Sequence, residues 1–305
     1  MKTAASLRAL LVGTIDYAGL FPPAALKLTP ALQNQMAYLR DDDVWMLGGF
    51  ILPTAKFEQA EALLRSFSPQ YPLRISALGP KTENVPQFMS ALRTATETIR
   101  KFNAAHDKGA NVTQIEMALP THPGAQLADA NAILAELHIP TFWEAPADEA
   151  ERVIEFLAQR RRTGTGRFGF KLRTGGVVAS AFPSSVQIAR ALVAAGKGQV
   201  PIKFTAGLHH PVRQFHANVQ AKMHGFLNVL GAGVLAAEHD WSVQQTSKML
   251  EDEDTAAFSF DDAAFAWNEW KVPTARVAEH RKVFTSFGSC SFDEPRADLR
   301  ALHLL

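Results

Sequence analysis

The stretch Arg167-Phe168-Gly169-Phe170-Lys171-Leu172-Arg173-Thr174-Gly175-Gly176 contains the pattern that decides the fold. Apolar and polar side chains alternate from residue 170 to residue 173, as in a half-buried β-strand, and the two glycines favour a turn. A helical pattern follows at residues 184–195, with Ser184 and Ser185 suited to cap its first turn. We interpret these residues as one strand–turn–helix unit.

The same unit recurs along the chain. Short apolar, β-branched or aromatic runs begin roughly 26 to 40 residues apart, the length of one strand–helix repeat in a parallel sheet. Eight such units predict an α/β fold, a (β/α)8 TIM barrel, which typically needs about 250 residues. An open, doubly wound sheet is the alternative, although no Gly-x-Gly-x-x-Gly motif follows the first run. The predicted strands are residues 14–21, 45–53, 73–80, 113–120, 140–146, 167–176, 200–208 and 226–232.

Residues 1–251 account for the predicted barrel, with a short N-terminal helix before residue 14 as a capping segment. Residues 252–305 exceed the eight units, so we predict that they form a C-terminal helical extension. Aromatic residues such as Phe258 and Trp267 favour its packing on the barrel. The turn around Cys290 is interpreted as the capped start of a last helix, with a lid over the barrel mouth or a subunit contact as alternatives.

Composition narrows the class of protein. The 305 residues are 47% hydrophobic and 20% charged with a formal net charge of +1, which excludes intrinsic disorder and disfavours nucleic-acid binding through a basic field. One cysteine excludes an intramolecular disulfide framework, and no apolar run approaches 18 residues, so we expect no membrane span. We predict a cytoplasmic protein with a small-molecule substrate, no nucleic-acid or membrane partner, and homo-oligomerisation as an open alternative.

Polar residues occupy strand positions that face the predicted lumen. Side chains alternate along a strand, so Lys171 shares a face with Arg173, and Lys203 shares a face with Thr205. Barrel lumens are normally filled by Val, Ile and Leu, so a polar cluster of this size indicates a site at the carboxyl ends of the strands, with structural ion pairs as the alternative. The predicted catalytic residues are Asp16, Glu116, Glu144, Lys171 and Lys203. The predicted substrate-binding residues are Arg173, Gly175, Gly176, Thr205, His209, His210 and Asn228.

Two of these strands resemble those of a known enzyme family. The segments Phe170-Lys171-Leu172-Arg173-Thr174-Gly175-Gly176 and Ile202-Lys203-Phe204-Thr205-Ala206-Gly207 resemble strands six and seven of deoxyribose-phosphate aldolase and related class I aldolase barrels. The segment Thr141-Phe142-Trp143-Glu144 is similar to that family's Ile-Ile-Glu-Thr segment, and Asp16 is a weaker parallel. The resemblance covers residues 140–237, about a third of the chain.

The resemblance implies a Schiff base on Lys171, with Lys203 as the second lysine that depresses its pKa. The chain departs from the family at three places. The second glycine after the strand-seven lysine is absent, Glu116 stands where the family has aspartate, and the C-terminal tail has no counterpart.

The residues themselves favour the same chemistry. A lysine attacks a carbonyl carbon only as the free amine, and nearby cations favour that form, so Lys203 and Arg173 are expected to lower the pKa of Lys171. Glu144 and Glu116 are the candidates for moving protons. We predict an aldolase-type lyase without a cofactor that acts on a small anionic carbonyl compound, phosphorylated or not, whose anionic group Arg173 binds.

Three other functions stay open. His209 and His210, with His122 as a third ligand, offer a divalent metal site for a hydrolase or lyase. The glycine turn at Gly175 and Gly176 suits a phosphate, as in a barrel phosphoribosyltransferase or isomerase. The third is a non-catalytic barrel whose polar lumen binds a ligand.

Overall fold

The computed structural model describes residues 3–106, 108–120, 126–163 and 167–305. Its strands are β1 (Ile15–Tyr17), β2 (Leu47–Pro53), β3 (Leu73–Leu78), β4 (Ala110–Ala118), β5 (Thr141–Glu144), β6 (Phe168–Arg173), β7 (Ile202–Thr205), β8 (Gln214–His216), β9 (Ala221–Met223), β10 (Phe258–Phe260), β11 (Ala264–Trp267), β12 (Trp270–Pro273) and β13 (Phe284–Ser289). Its helices are α1 (Ala5–Leu11), α2 (Leu28–Tyr38), α3 (Phe57–Glu61), α4 (Val85–His106), α5 (Gln126–Leu134), α6 (Ala150–Thr163), α7 (Ser185–Gly198), α8 (Phe226–His239), α9 (Val243–Glu251), α10 (Thr274–His280) and α11 (Asp293–Ala301).

Strands β1 to β7 and β13 form a closed barrel in which every pair of neighbours is parallel. Helices alternate with these strands, α1 precedes β1, and α10 and α11 lie near the C-terminus. The predicted (β/α)8 barrel is therefore confirmed. The predicted cap of α7 is also present, because the Ser184 hydroxyl accepts a hydrogen bond from the Gln187 backbone and the Gln187 side chain bonds back to residue 184.

The eighth strand lies elsewhere than predicted. Residues 226–232 belong to α8, whose residues 226–236 are all buried. Because both a buried strand and a buried helix read as a continuous apolar run, periodicity does not separate them, and the prediction of a strand there was wrong. The barrel is closed instead by β13, which pairs with β7 on one side and β1 on the other. Residues 252–305 thus contain a barrel strand as well as helices, and residue 251 does not end the barrel.

The chain between β7 and β13 builds a layer outside the barrel. In it, α8 packs against α7 and α9, while β10, β11 and β12 form a separate antiparallel sheet. Trp241 contacts both Trp267 and Trp270 edge to face, with ring centroids 5.8 Å and 5.2 Å apart. These contacts pack Trp267 and Trp270, two of the aromatic residues beyond residue 251, against the outer layer.

The register of the barrel aligns the polar positions. Lys171 of β6 pairs with Lys203 of β7, and Glu144 of β5 pairs with Lys171. The alternate residues Leu172 and Phe204 are fully buried on the opposite face of the same strands. The hydrophobic contacts between the strands and the surrounding helices therefore hold the charged side chains toward the lumen.

Asn228 lies on α8 rather than on a strand, so the basis for predicting it as a substrate-binding residue is lost. Its side-chain Oδ1 accepts a hydrogen bond of 2.9 Å from the Arg213 backbone N–H. Its Nδ2 donates to the carbonyls of Met249 and Asp252, at 2.7 and 2.9 Å. Asn228 thereby links the β7–β8 connection to the end of α9.

We expect Asn228→Ala to lower the free energy of unfolding by about 2–4 kcal/mol, because it leaves buried backbone groups without partners. Urea denaturation followed by circular dichroism measures this. The exposed Asn218→Ala is the control and should unfold at the wild-type urea concentration. Equal midpoints for Asn228→Ala and the wild type would contradict the structural role.

Within the described ranges, no helix has both the length and the apolar composition needed to cross a membrane.

Candidate active site

A buried ion-pair cluster fills the lumen of the barrel. Glu116 on β4 contacts the ammonium groups of both lysines, with Lys171 Nζ 2.8 Å from Oε2 and Lys203 Nζ against Oε1. Lys203 also contacts Asp16 Oδ2 at 2.8 Å, and Lys171 contacts Glu144 Oε2 at 2.9 Å. The five predicted catalytic residues therefore lie in one network, with three carboxylates around two ammonium groups.

Polar side chains from other strands complete the cluster. The Ser76 hydroxyl on β3 donates to Glu116 Oε1 at 2.5 Å, and the Ser286 hydroxyl on β13 donates to Asp16 Oδ2 at 2.8 Å. Gln114 of β4 donates to the same Asp16 oxygen at 3.3 Å. Glu116 Oε1 and Asp16 Oδ2 thus each have a neutral donor in addition to Lys203, which offsets part of the cost of burying these two oxygens. The sequence analysis did not predict Ser76 or Ser286 as site residues.

Two adjacent glycines in β2 make room for Asp16. The Gly49 backbone N–H donates to Asp16 Oδ1 at 2.6 Å. A Cβ at Gly48 would overlap that same oxygen. A glycine pair inside a strand indicates a close approach of another group, so this signal was present in the sequence.

The two lysines differ in their access to solvent. Lys203 is fully buried within the cluster, whereas Lys171 lines a cavity of about 360 Å³ at the carboxyl ends of the strands. Active sites of TIM-barrel enzymes occur at this end. Of the predicted site residues, the cavity is lined by Glu116, Glu144, Lys171, Arg173, Gly176, Thr205 and His209.

Other predicted residues take supporting positions. Asp16 lies beside Lys203 beneath the cavity. Gly175 lies in the loop after β6 and packs against Phe182, whose ring a Cβ at this position would overlap. His210 faces α11 and a neighbouring groove instead of the cavity.

The charges of the cluster fix its protonation. Burial alone would raise the pKa of Glu116, but Lys171 and Lys203 outweigh it and hold the pKa far below the ordinary value. Burial alone would lower the pKa of Lys171, but Glu116 and Glu144 outweigh it and raise the pKa. The expectation that Lys203 and Arg173 lower the pKa of Lys171 was therefore wrong, because Glu116 lies between the two lysines and compensates the repulsion.

The two consecutive histidines make parallel contacts with α11. His209 Nδ1 lies 3.0 Å from Glu294 Oε2, and His210 Nδ1 lies 2.7 Å from Asp298 Oδ2. Their ring centroids are 6.5 Å apart. In the part of the chain that the structure describes, no group of three or more His, Cys, Asp or Glu side chains is arranged to hold a metal ion. His122, the third ligand of the predicted metal site, lies outside the described residues.

Cys290 follows β13 and lines the same cavity as Lys171 and His209. It is buried, with 9% of its surface exposed. The predicted last helix begins three residues later as α11, and the carboxylate of Glu294 in its first turn reaches His209. The C-terminal segment therefore contributes a wall of the cavity.

Comparison with protein-family models and with curated protein sequences found no match to this chain. The resemblance to class I aldolase barrels stays a prediction from the residues that carry it.

We expect Glu116→Gln to lower the free energy of unfolding by about 3–5 kcal/mol at pH 7, because both buried lysines lose a counter-charge. Since the folded pKa of Glu116 lies below its ordinary value of 4.5, the wild-type advantage is complete above that pH and shrinks as the pH falls below it. Urea denaturation at pH 7 and pH 4 measures both effects. The exposed Glu97→Gln is the control and should not change stability measurably. A Glu116→Gln variant as stable as the wild type at pH 7 would rule out this arrangement of charges.

Proposed function

We propose that the protein is a lyase of aldolase type, which forms a Schiff base between Lys171 and a small anionic carbonyl compound. One observation carries the proposal: Lys171 is held at the floor of the cavity, between two carboxylates, with a second lysine in register on the next strand. An amine at a cavity floor with acid–base groups in contact is the arrangement that carbonyl addition needs.

Glu144 is the group that takes the proton from Lys171 when substrate enters. It contacts the ammonium at 2.9 Å, and its side chain is 21% exposed toward the cavity. Glu116 is the poorer acceptor, because Lys203 and the Ser76 hydroxyl also hold its charge. The free amine then adds to the carbonyl carbon, and water leaves after the carbonyl oxygen has received two protons, which produces an iminium.

Conservation of charge favours this reaction in a buried site. The iminium nitrogen carries the same positive charge as the ammonium it replaces and keeps one N–H to donate to Glu116. Glu116 therefore has the same counter-charges before and after the iminium forms. Lys203 stays against it while Lys171 is the neutral amine, so the large cost of leaving the carboxylate unpaired is avoided. The iminium withdraws electrons from the neighbouring carbon–carbon bond, which allows that bond to break or form.

The cavity supports a small substrate with one anionic end. Ile51 and Leu78 give it apolar walls, while Arg173 contributes a cation for the anionic end. The Arg173 guanidinium is held by a 3.1 Å hydrogen bond from Nε to the Gly175 carbonyl. This leaves its terminal nitrogens for a carboxylate or phosphate of the substrate, which guanidinium groups bind through paired hydrogen bonds.

Borohydride trapping tests the proposal. We expect incubation with pyruvate or glyoxylate and sodium borohydride to attach one substrate to Lys171, because the reductant converts the iminium into a stable secondary amine. Intact mass and peptide mapping measure the adduct. Lys171→Met should abolish it.

Lys81→Met is the matched control, since Lys81 also lines the cavity but lies outside the lumen cluster. It should keep the adduct at Lys171. An adduct that persists in Lys171→Met, or no adduct with any member of a panel of small aldehydes and keto acids, would exclude Schiff-base chemistry.

A further inference from the structure

The consecutive residues His209 and His210 both contact a carboxylate of α11, but their rings lie in different surroundings. Each ring presents Nδ1 to a carboxylate of α11, Glu294 for His209 and Asp298 for His210. Only the His209 ring of these two lines the cavity that contains Lys171. The Nε2 atom of His210 is buried without a hydrogen-bond partner in the described structure. His209 is therefore the candidate reactive group, and His210 is a matched control for substitutions of it.

His209 is oriented for a ligand in the cavity. Its Nδ1 lies 3.0 Å from Glu294, and the Cys290 side chain also lies beside the ring, so a molecule above Lys171 reaches Nε2 next to Cys290. A carboxylate behind one nitrogen fixes the ring and stabilises its charged form, as in other acid–base histidines. His209 lies in the loop that follows β7, the strand next to β6 and Lys171.

The charge of His209 suits donation of a proton. Burial alone would lower its pKa, but Cys290 and Glu294 outweigh it and raise the pKa to about 9. The ring is therefore an imidazolium at neutral pH. Glu294 in turn has a lowered pKa, first because of its hydrogen bond with His209.

We propose that His209 binds the carbonyl oxygen of a second substrate, an acceptor aldehyde, and exchanges a proton with that oxygen when the carbon–carbon bond forms or breaks. The proposal rests on the proposed function, since Lys171 supplies the other reactant. It assigns the cavity to two carbonyl compounds, a donor on Lys171 and an aldehyde between Lys171 and His209.

Formation of the carbon–carbon bond conserves protons and electrons within the site. Glu144 first removes a proton from the α-carbon of the iminium, which gives the enamine. The enamine carbon then attacks the aldehyde carbon, the nitrogen lone pair re-forms the iminium, and the carbonyl π electrons move to the aldehyde oxygen. That oxygen takes the Nε2 proton of His209, which leaves a neutral imidazole with its Nδ1–H donating to Glu294. In the cleavage direction neutral His209 removes the hydroxyl proton, the carbon–carbon bond breaks, and its electrons return to the iminium.

Cys290 provides a measurement that does not depend on catalysis. It is the chain's only cysteine and lines the cavity together with His209, so its alkylation by iodoacetamide reports occupancy of this wall. The experiment follows alkylation by intact mass at pH 7 while oxamate is titrated, because its amide carbonyl resembles that of glyoxylate but does not add to a thiol. It is performed in a Lys171→Met background and repeated in Lys171→Arg, which keeps the buried cation.

We expect oxamate to slow alkylation in both backgrounds. Adding His209→Asn should weaken this protection about ten- to hundredfold in apparent affinity, the usual effect of losing a hydrogen bond from a charged donor. Adding His210→Asn should leave the protection unchanged. Protection that is absent in both backgrounds, or that survives His209→Asn, overturns the proposal.

A second measurement separates the two steps in proteins that retain Lys171. Deuterium exchange at the methyl group of pyruvate, followed by NMR, needs the enamine but no acceptor. We expect His209→Asn to preserve this exchange and to slow the joining of pyruvate to glyoxylate at least tenfold, whereas an equal loss of both rates overturns the role of His209. If pyruvate neither exchanges nor is trapped on Lys171, the Schiff-base proposal fails, while His209-dependent protection of Cys290 still identifies the aldehyde site.

Discussion

Glu116 is the residue on which the arrangement of the lumen depends, because one carboxylate lies between two ammonium groups on adjacent strands. Without it, Lys171 and Lys203 would face each other in register inside a closed barrel, where the repulsion between two buried ammonium groups is strong. The Ser76 hydroxyl and the glycines beside Asp16 are consequences of the same constraint, since every buried carboxylate needs donors at short range. The cluster places Lys171 at the floor of the cavity and keeps Lys203 fully buried beneath it.

The cavity combines this rigid floor with a wall from the far end of the chain. The floor is formed by side chains on strands whose outward faces are locked by packing, which keeps reactive groups in place. The wall is formed by the loop after β7 and by Cys290, and the carboxylates of α11 hold the two histidines of that loop. The floor and the wall therefore carry separate acid–base groups, Glu144 at the amine and His209 at the opposite side.

Much of this organisation could be predicted from the alternation of apolar and polar residues. Because side chains alternate between the two faces of a strand, Lys171 and Arg173 were expected on one face. The recurrence of strand and helix patterns predicted the barrel. The eighth strand could not be found in this way, because β13 is rich in hydroxyl groups while the buried residues of α8 are apolar except for Asn228. The raised pKa of Lys171 could not be predicted either, since it depends on where the Glu116 carboxylate lies between strands distant in sequence.

The position of β13 also determines when the barrel closes during synthesis. Chains emerge amino end first at about 5–20 residues per second, and strands β1 and β7 are free edges until residues 284–289 arrive between them. The layer formed by α8, α9 and the small antiparallel sheet is complete in sequence before then. The outer layer is thus available on the ribosome before the lumen is sealed, and Asp16 gains the hydroxyl donor of Ser286 only when the last strand enters.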